Sequence, residues 1–296
     1  MIHQAGFVSI IGYPNVGKST LMNALLGERL SIITPKAQTT RHRIMGIFSD
    51  ENFQIVYSDT PGVIKPHYKL HRAMMSAVFS ALDDADVILL VTEAGNDFHQ
   101  EEILKKLKET TKPVIVVINK IDLGDMEVLE KEAEKWRGTL DKATILPVSA
   151  LHKVNLDQVF KAILHDLPES PPFYPKDELT DRSQRFFISE IIREKILLYF
   201  SQEIPYSTEV AIESFKEEEH LTRISATIYV SRESQKGILI GHQGVAIKKL
   251  GTVARKDIES FLGQHVFLEL RVKVAKDWRE DDQALKRFGY PSTSEK

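Results

Sequence analysis

The chain has 296 residues and a formal net charge of −3 at pH 7; 42% of its residues are hydrophobic and 27% are charged. This length accommodates two domains, and the composition is typical of a soluble globular protein rather than of a disordered or fibrous one. Cysteine is absent, which excludes disulfide frameworks and thiolate metal sites. No apolar run could span a bilayer and no signal-peptide pattern is present, so we expect a cytoplasmic protein.

Short apolar runs alternate with segments of helical spacing over the first 168 residues. The patterns predict strands at 6–11, 43–49, 53–58, 86–92, 113–119 and 143–148, and helices at 18–27, 69–82, 99–110, 126–138 and 154–166. This alternation is typical of an α/β domain with a mainly parallel sheet and helices on both faces. Such sheets bind ligands beyond the carboxyl ends of their strands, so polar motifs that directly follow strands are the candidate site.

The first of these motifs lies between the first predicted strand and the first predicted helix. It fits the pattern G-x-x-x-x-G-K-[ST] and consists of Gly12, Tyr13, Pro14, Asn15, Val16, Gly17, Lys18 and Ser19, to which we add Thr20 as a further phosphate-binding residue. Glycines allow backbone N–H groups to converge on a phosphate, and the helix adds its unpaired amides and its dipole. Lys18 can reach the β- and γ-phosphates, and the Ser19 hydroxyl can bind Mg²⁺.

A second motif, Asp59-Thr60-Pro61-Gly62, follows the strand predicted at 53–58. A carboxylate at the end of a strand, downstream of a phosphate-binding loop, is suited to support Mg²⁺. Gly62 lacks a side chain, so its backbone N–H can approach the γ-phosphate.

Two further motifs follow the last two predicted strands of this half. In Asn119-Lys120-Ile121-Asp122, the carboxylate can accept from guanine N1–H and N2–H₂ together, a bidentate pairing that adenine cannot offer. Ser149-Ala150-Leu151 offers backbone N–H groups for guanine O6. The two motifs together predict a guanine-binding site.

In order and spacing, these motifs resemble those of the translation-factor-related GTPases of the Ras-like superfamily. The resemblance implies GTP and GDP as ligands, with Mg²⁺ held by Ser19, Asp59 and a threonine of the polar loop at 34–43. We choose Thr40 as that threonine, because it directly precedes Arg41 as in related families; Thr39 is the alternative.

The same resemblance assigns the catalytic contacts to Lys18, Thr40 and Gly62. One departure concerns hydrolysis: Val63 follows Gly62, where Ras has a glutamine that orients water. Valine has no donor or acceptor, so we expect slow intrinsic hydrolysis or help from another group. Asn15 matches an asparagine that helps hold K⁺ in related GTPases; the alternative is that it only shapes the loop.

Four prolines at 168–175 predict a stiff, extended connector. We therefore predict a GTPase domain at 1–168, a linker at 169–178 and a second domain at 179–296. For the second domain the patterns predict helices at 181–200 and 245–261, strands at 207–215, 222–230 and 266–274, a short helix that ends near 240, and a charged C-terminal helix.

The turn Gly241-His242-Gln243-Gly244 separates the two later helices of this second domain. The element order and this G-x-x-G turn resemble an α+β type II KH domain, a module whose loop clamps about four nucleotides of single-stranded RNA. Residues 232–256 contain six basic side chains and one acidic one, Glu233, which favours the same partner. The predicted RNA-binding residues are Lys236, Gly237, Gly241, His242, Gln243, Gly244, Lys248 and Lys249.

A Ras-like GTPase domain followed by one type II KH domain resembles the Era family over nearly the whole chain. The resemblance implies a monomeric ribosome-assembly GTPase whose KH domain binds the 3′ end of 16S rRNA in the 30S subunit under control of the GTP state. Some family members associate peripherally with the inner membrane. Two alternatives stay open: a tRNA- or membrane-linked GTPase whose second domain binds a partner other than RNA, and a non-hydrolysing RNA chaperone that uses GTP as a structural ligand.

Overall fold

The computed structural model describes residues 3–291. They form two compact units: one consists of the chain up to Lys65 together with Met74–Asp181, and the other of Pro66–Ala73 together with the chain from Arg182 onward. Over the described residues, no helix combines the length and the apolar character needed to cross a membrane.

The first unit is built on a six-stranded sheet in the order β2-β3-β1-β4-β5-β6. Its strands are β1 (Gln4–Ile11), β2 (Ile44–Ser49), β3 (Phe53–Asp59), β4 (Val87–Glu93), β5 (Val114–Asn119) and β6 (Thr144–Pro147). Its helices are α1 (Lys18–Leu26), α2 (Lys69–Asp84), α3 (Glu101–Glu109), α4 (Met126–Thr139) and α5 (Leu156–Asp166). Strand β2 is antiparallel to β3 and the other pairs are parallel, so the predicted mainly parallel α/β fold is confirmed.

The central strands read as continuous apolar runs because both of their faces are covered. Strands β4 and β5 are buried along nearly their whole length, as expected for parallel strands between two layers of helices. The chain leaves β1, β3 and β5 at the same edge of the sheet. This edge therefore collects the three motifs that follow those strands.

The proline-containing connector is not a free spacer, because residues 168–180 (the connector strap) lie along the first unit. The fully buried side chain of Gln54 accepts from the N–H groups of Phe173 (2.7 Å) and Tyr174 (3.0 Å) and donates to the carbonyl of Tyr174 (2.8 Å). The N–H of Ile47, on edge strand β2, donates to the carbonyl of Leu179 (2.8 Å). Much of the segment predicted as a linker thus belongs to the first unit, and the domain limits stay a prediction.

The second unit combines a three-stranded sheet, in the order β7-β8-β9, with a cluster of helices packed on one face, while the C-terminal helix contacts Tyr229 on the other face. Its elements are α6 (Gln184–Tyr199), α7 (Ile204–Ser207), β7 (Glu209–Glu217), β8 (Leu221–Val230), α8 (Glu233–Ile240), α9 (Val245–Leu262), β9 (His265–Val274) and α10 (Asp282–Arg287). Strand β8 pairs antiparallel with β7 and parallel with β9. This is the predicted α+β arrangement. Helix α7 was not predicted, since four residues are too few to show a period.

Candidate functional site

The loop between β1 and α1 borders a cavity of about 470 Å³, and Thr20 lines the same cavity. Gly12 and Gly17 both have positive φ, +149° and +97°. A Cβ atom on Gly12 would lie 2.1 Å from the Val91 carbonyl oxygen, and one on Gly17 would lie 2.2 Å from Asn119 Nδ2. Only glycine allows the loop to pass this close to its neighbours.

Lys18 is buried at the start of α1, and its ammonium group donates to the carbonyls of Gly12 (3.1 Å) and Tyr13 (2.8 Å). Burial lowers the pKa of Lys18 to about 8, although the negative charge of Asp59 opposes the shift. A nearby anion would favour the charged form of this side chain. The arrangement is therefore suited to binding phosphate.

Three oxygen atoms from α1, the loop at 34–43 and β3 converge beside this lysine. The Ser19 hydroxyl donates to Asp59 Oδ2 (2.6 Å), and Thr40 Oγ1 lies 2.9 Å from Ser19 Oγ and 3.3 Å from the same carboxylate oxygen. Thr39 instead donates to the Lys36 carbonyl (2.6 Å). Of the two candidate threonines, Thr40 is thus the one that lies beside Asp59.

The chemistry of this oxygen cluster fits a hard divalent cation. Oδ1 of Asp59 is buried and makes no hydrogen bond of ordinary geometry within residues 3–291. Burial raises the pKa of the carboxyl group, although the Ser19, Ser31 and Thr40 hydroxyls and the charge of Lys18 oppose the shift. A cation such as Mg²⁺ would pair with this oxygen and favour the charged form. No group of three or more His, Asp or Glu side chains in the described part of the chain could form a separate metal site.

The guanine motif is fixed to the phosphate loop by one buried amide. Asn119 Nδ2 donates to the carbonyl of Val16 (2.8 Å), and Oδ1 accepts from the N–H of Ala150 (2.9 Å). The Ser149 hydroxyl donates to Asp122 Oδ1 (2.5 Å), and this bond holds the pKa of Asp122 below its usual value. An ionised, oriented carboxylate is the group that a bidentate guanine contact requires.

The rim of this part of the cavity is apolar. Leu123 and Leu151 line the cavity and are 80% and 71% exposed, so a planar base placed there would cover them. Lys120 lines the cavity too and forms an ion pair with Glu93. The predicted site residues did not include six residues that line the cavity: Ile32, Ile33, Thr34, Pro35, Gln38 and Leu123. Three of them lie in the polar loop at 34–43 that the sequence analysis singled out, and the apolar pair directly precedes this loop.

The segment after Asp59 places Gly62 against the phosphate loop and Val63 in the core. A Cβ atom on Gly62 would lie 2.7 Å from Pro14 Cγ. The Val63 N–H donates to the Gly12 carbonyl (3.0 Å), and its buried side chain belongs to the apolar core. Position 63 therefore offers no side-chain group that could orient water.

In the second unit, the G-x-x-G turn links α8 to α9 with three residues at positive φ: Gly241 (+72°), Gln243 (+51°) and Gly244 (+77°). A Cβ atom on Gly241 would lie 2.6 Å from Ala246 Cβ, so this position requires glycine. His242 and Gln243 at the tip are exposed. The turn thus presents backbone and two polar side chains to solvent.

Basic side chains surround this turn and lead into a groove. Lys248 and Lys249 are exposed on α9, Gly237 is exposed on α8, and Lys236 lies 3.8 Å from Glu233. A groove of about 430 Å³ between α9 and edge strand β9 is lined by Ile247, Lys248, Gly251, Thr252, Arg255, Val266, Phe267, Leu268 and Leu270. Apolar and aromatic walls with basic side chains suit the bases and phosphates of a single strand. Apart from Lys248, sequence reasoning missed these residues, because the strand register decides which of them face the groove.

Together, the fold and these sites define a P-loop GTPase joined to a KH domain. Residues 7–120 match the family model described as 50S ribosome-binding GTPase, and residues 203–279 match the KH domain model. The chain is 46% identical to GTPase Era of Syntrophus aciditrophicus, over 98% of this chain and 96% of that protein. It is 43% identical to GTPase Era of Staphylococcus epidermidis over 97% of both chains. The chain belongs to the Era family of GTPases, which confirms the predicted family, and it is therefore a GTPase.

Two crystal structures resemble the full chain. One is Era in complex with MgGDPNP and nucleotides 1506–1542 of 16S ribosomal RNA, with a TM-score of 0.93 and 41% identity over 97% of this chain and 99% of that one. The other is a variant of Aquifex aeolicus Era bound to GDP·AlF₄⁻, with a TM-score of 0.92 and 42% identity over the same shares.

Proposed function

We propose that this protein is a slow, Mg²⁺-dependent GTPase that binds the 3′ region of 16S rRNA through its KH domain and assists assembly of the 30S subunit, with the GTP state controlling RNA binding and release. The observation that carries this proposal is the full-length likeness to an Era structure that holds both MgGDPNP and 16S rRNA nucleotides. In this chain the two corresponding sites have the residues and the shape for such ligands.

In the nucleotide site, the backbone of 12–20 would surround the phosphates and Lys18 would contact the β- and γ-phosphates. Ser19, Thr40 and Asp59 would hold Mg²⁺, which neutralises charge on the phosphate oxygens when bound. The N–H of Gly62 would approach the γ-phosphate. This N–H, Lys18 and Thr40 form the proposed catalytic set. None of these three groups takes the place of the glutamine that orients water in Ras.

Asp122 would select guanine over adenine through its two carboxylate oxygens. Within the motif at 149–151, the N–H groups of Ser149 and Ala150 already donate to the Val154 carbonyl (3.2 Å) and to Asn119 Oδ1 (2.9 Å), so the N–H of Leu151 would be the donor to guanine O6. Asn119 supports this part of the site through its bonds to Val16 and Ala150. The side chain of Lys120 borders the base on another side.

In the KH domain, the turn at 241–244 would clamp the RNA backbone, with Lys236, Gly237, Lys248 and Lys249 beside it, while the adjoining groove takes up bases. We further propose that the protein is monomeric and cytoplasmic and that it associates peripherally with the inner membrane. Sedimentation with anionic lipid vesicles would test the membrane part, and absence of co-sedimentation at low salt would remove it.

The decisive experiment compares two variants for binding of labelled GTP and of a single-stranded 16S rRNA 3′ fragment. Asp122→Asn should bind GTP weakly and bind xanthosine triphosphate instead, because its amide presents a donor where the carboxylate accepted. This variant should still bind RNA. His242→Asp with Gln243→Asp should lose RNA even at low salt, because two carboxylates would face the phosphate backbone, and it should still bind GTP.

If the folded double variant binds RNA like the parent, the RNA-binding role of the G-x-x-G turn is wrong and a KH domain that binds a partner other than RNA is favoured. If Asp122→Asn binds GTP undiminished, the guanine assignment is wrong. Single-turnover kinetics with 30S subunits measure how slowly this GTPase hydrolyses GTP.

A further inference from the structure

Tyr199, the last residue of α6, is an exposed aromatic side chain beside the proposed RNA site. Its exposed fraction is 52%, and the ammonium nitrogen of Lys249 lies 5.6 Å from the centroid of its ring. Helix α6 packs against α9 through buried residues such as Ile192 and Ala254. The ring therefore lies close to the outer face of α9 without being part of the core.

The two adjacent lysines of α9 point to different surroundings. Lys248 lines the groove between α9 and β9, whereas Lys249 reaches the ring of Tyr199 on α6. Successive residues of an α-helix diverge in this way because they are about 100° apart around its axis. The two lysines thus place positive charge on both sides of α9: Lys248 at the groove and Lys249 at the aromatic ring.

The exposed surface of α9 between these two places is basic. Lys248, Lys249, Thr252, Arg255 and Lys256 are exposed there. Residues 245 and 249 share one face of the helix, and Val245, directly after the G-x-x-G turn, is 65% exposed. Positive charge beside exposed apolar and aromatic surface is the combination that binds single-stranded nucleic acid through its phosphates and stacked bases.

We propose that Tyr199 and Lys249 form a second base-stacking subsite, which receives a nucleotide of single-stranded RNA after the strand has left the groove and crossed α9. This inference rests on the proposed RNA-binding function. A base would stack on the Tyr199 ring while Lys249 contacts an adjacent phosphate. The subsite extends the RNA footprint beyond the turn and the groove onto α6.

The test compares Tyr199→Ala with Leu198→Ala in the full-length protein. Leu198 is the matched control, since it is the preceding residue of α6 and is 48% exposed. Affinities are measured for single strands of about four and about ten nucleotides from the 3′ end of 16S rRNA. Tyr199→Ala should weaken the longer strand by about fivefold to a hundredfold, the range for loss of one aromatic stack, and leave the shorter strand unchanged. Leu198→Ala should change neither.

Tyr199→Trp supplies an independent readout. The variant should retain affinity for the longer strand, and the fluorescence that its indole adds to that of Trp136 and Trp278 in the parent should be quenched by the longer strand only. If Tyr199→Ala binds both strands like the parent and the indole is not quenched, the Tyr199–Lys249 pair is a structural contact and the subsite is refuted. If the parent itself binds neither strand, the proposed RNA function fails instead, so the two failures are distinguishable.

Discussion

Lys18 and Asp59 are both buried, and the pKa of each is shifted toward its neutral form. Loss of water lowers the pKa of Lys18 to about 8 and raises the pKa of Asp59, while the attraction between the two charges opposes both shifts. Phosphate and Mg²⁺ supply the missing opposite charges. A nucleotide and its metal ion would therefore stabilise the charged forms of Lys18 and Asp59. Ligand binding should then change the number of protons bound to the protein, which can be measured.

We expect nucleotide binding to take up protons near pH 8. In the free protein about half of the Lys18 side chains are neutral at that pH, and phosphate raises the pKa, so binding protonates them. Affinity for GDP should be constant well below pH 8 and fall as the pH rises above it. Calorimetry in two buffers of different ionisation enthalpy measures the proton uptake. The titrations contain EDTA, so that no metal bound at Asp59 contributes to it. An uptake that does not increase from pH 7 to pH 8 would contradict the role of Lys18.

Asn15 is the second residue with a testable role, because it belongs to the phosphate loop and its side chain bonds to the loop at 34–43. Its amide donates to the carbonyl of Pro35 (3.1 Å). We expect GTP hydrolysis in K⁺ to be about tenfold faster than in Na⁺, or ~1.4 kcal/mol of transition-state stabilisation. Asn15→Ala should abolish the difference. Turnover measured at matched ionic strength decides the matter, and equal rates in both salts would leave Asn15 as a loop-shaping residue only.

The connector strap shows how one side chain can hold an element in place. Gln54 bonds to the backbone of residues 173 and 174 much as a neighbouring strand would, and Thr180 Oγ1 donates to the Met45 carbonyl (2.6 Å). Covering the exposed edge of a sheet in this way protects it from pairing with other chains. The strap is therefore a structural part of the GTPase unit.

Gln54→Leu should release the strap while preserving the volume of the buried side chain. The N–H groups of Phe173 and Tyr174 would lose their acceptor, at a cost of about 2–4 kcal/mol. Cleavage after the exposed Lys176 by a lysine-specific protease should accelerate under native conditions. Gln158→Leu, at an exposed glutamine of α5, is the control and should be cleaved at the parental rate. Equal cleavage of both variants would show that Gln54 does not hold the strap.

The sequence predicted the strands and all helices of both units except α7, as well as the motifs after the strands, because periodicity and local spacing determine them. It did not predict the strap, since a glutamine within a strand shows no preference for a distant segment. It also missed the groove: which faces of β9 and α9 meet there depends on how the strand and the helix pack together. Gly251 illustrates this, because a Cβ atom there would lie 3.5 Å from Leu270 of β9, a contact invisible in sequence.

On the scale of the whole molecule, the strap determines where the chain can be divided. Residues 168–180 bond to β1, β2 and β3: Pro168 accepts from the N–H of Ala5 (3.1 Å), and Ser170 donates its N–H to the carbonyl of His3 (3.1 Å). The first compact unit accordingly extends to Asp181. A division at the prolines would remove a segment that the sheet edge needs.

We therefore expect a fragment of residues 1–181 to fold and to bind GDP within a few-fold of the full chain, whereas a fragment of residues 1–168 should be less stable and prone to aggregate. Segment 66–73, which belongs to the second unit, is separated from the rest of that unit in both fragments, so the comparison isolates the strap. The shorter fragment lacks the partners of Gln54 and leaves β2 as an open edge. Each lost hydrogen bond destabilises by about 1 kcal/mol, and an open apolar edge pairs with other chains. Urea unfolding, followed by the fluorescence of Trp136, measures the stability of each fragment, and light scattering measures its aggregation. The urea midpoint of the 1–181 fragment carrying Gln54→Leu should lie between the midpoints of the two fragments. If the two fragments unfold at the same urea concentration, the strap is a passive tether and the domain boundary lies at the prolines.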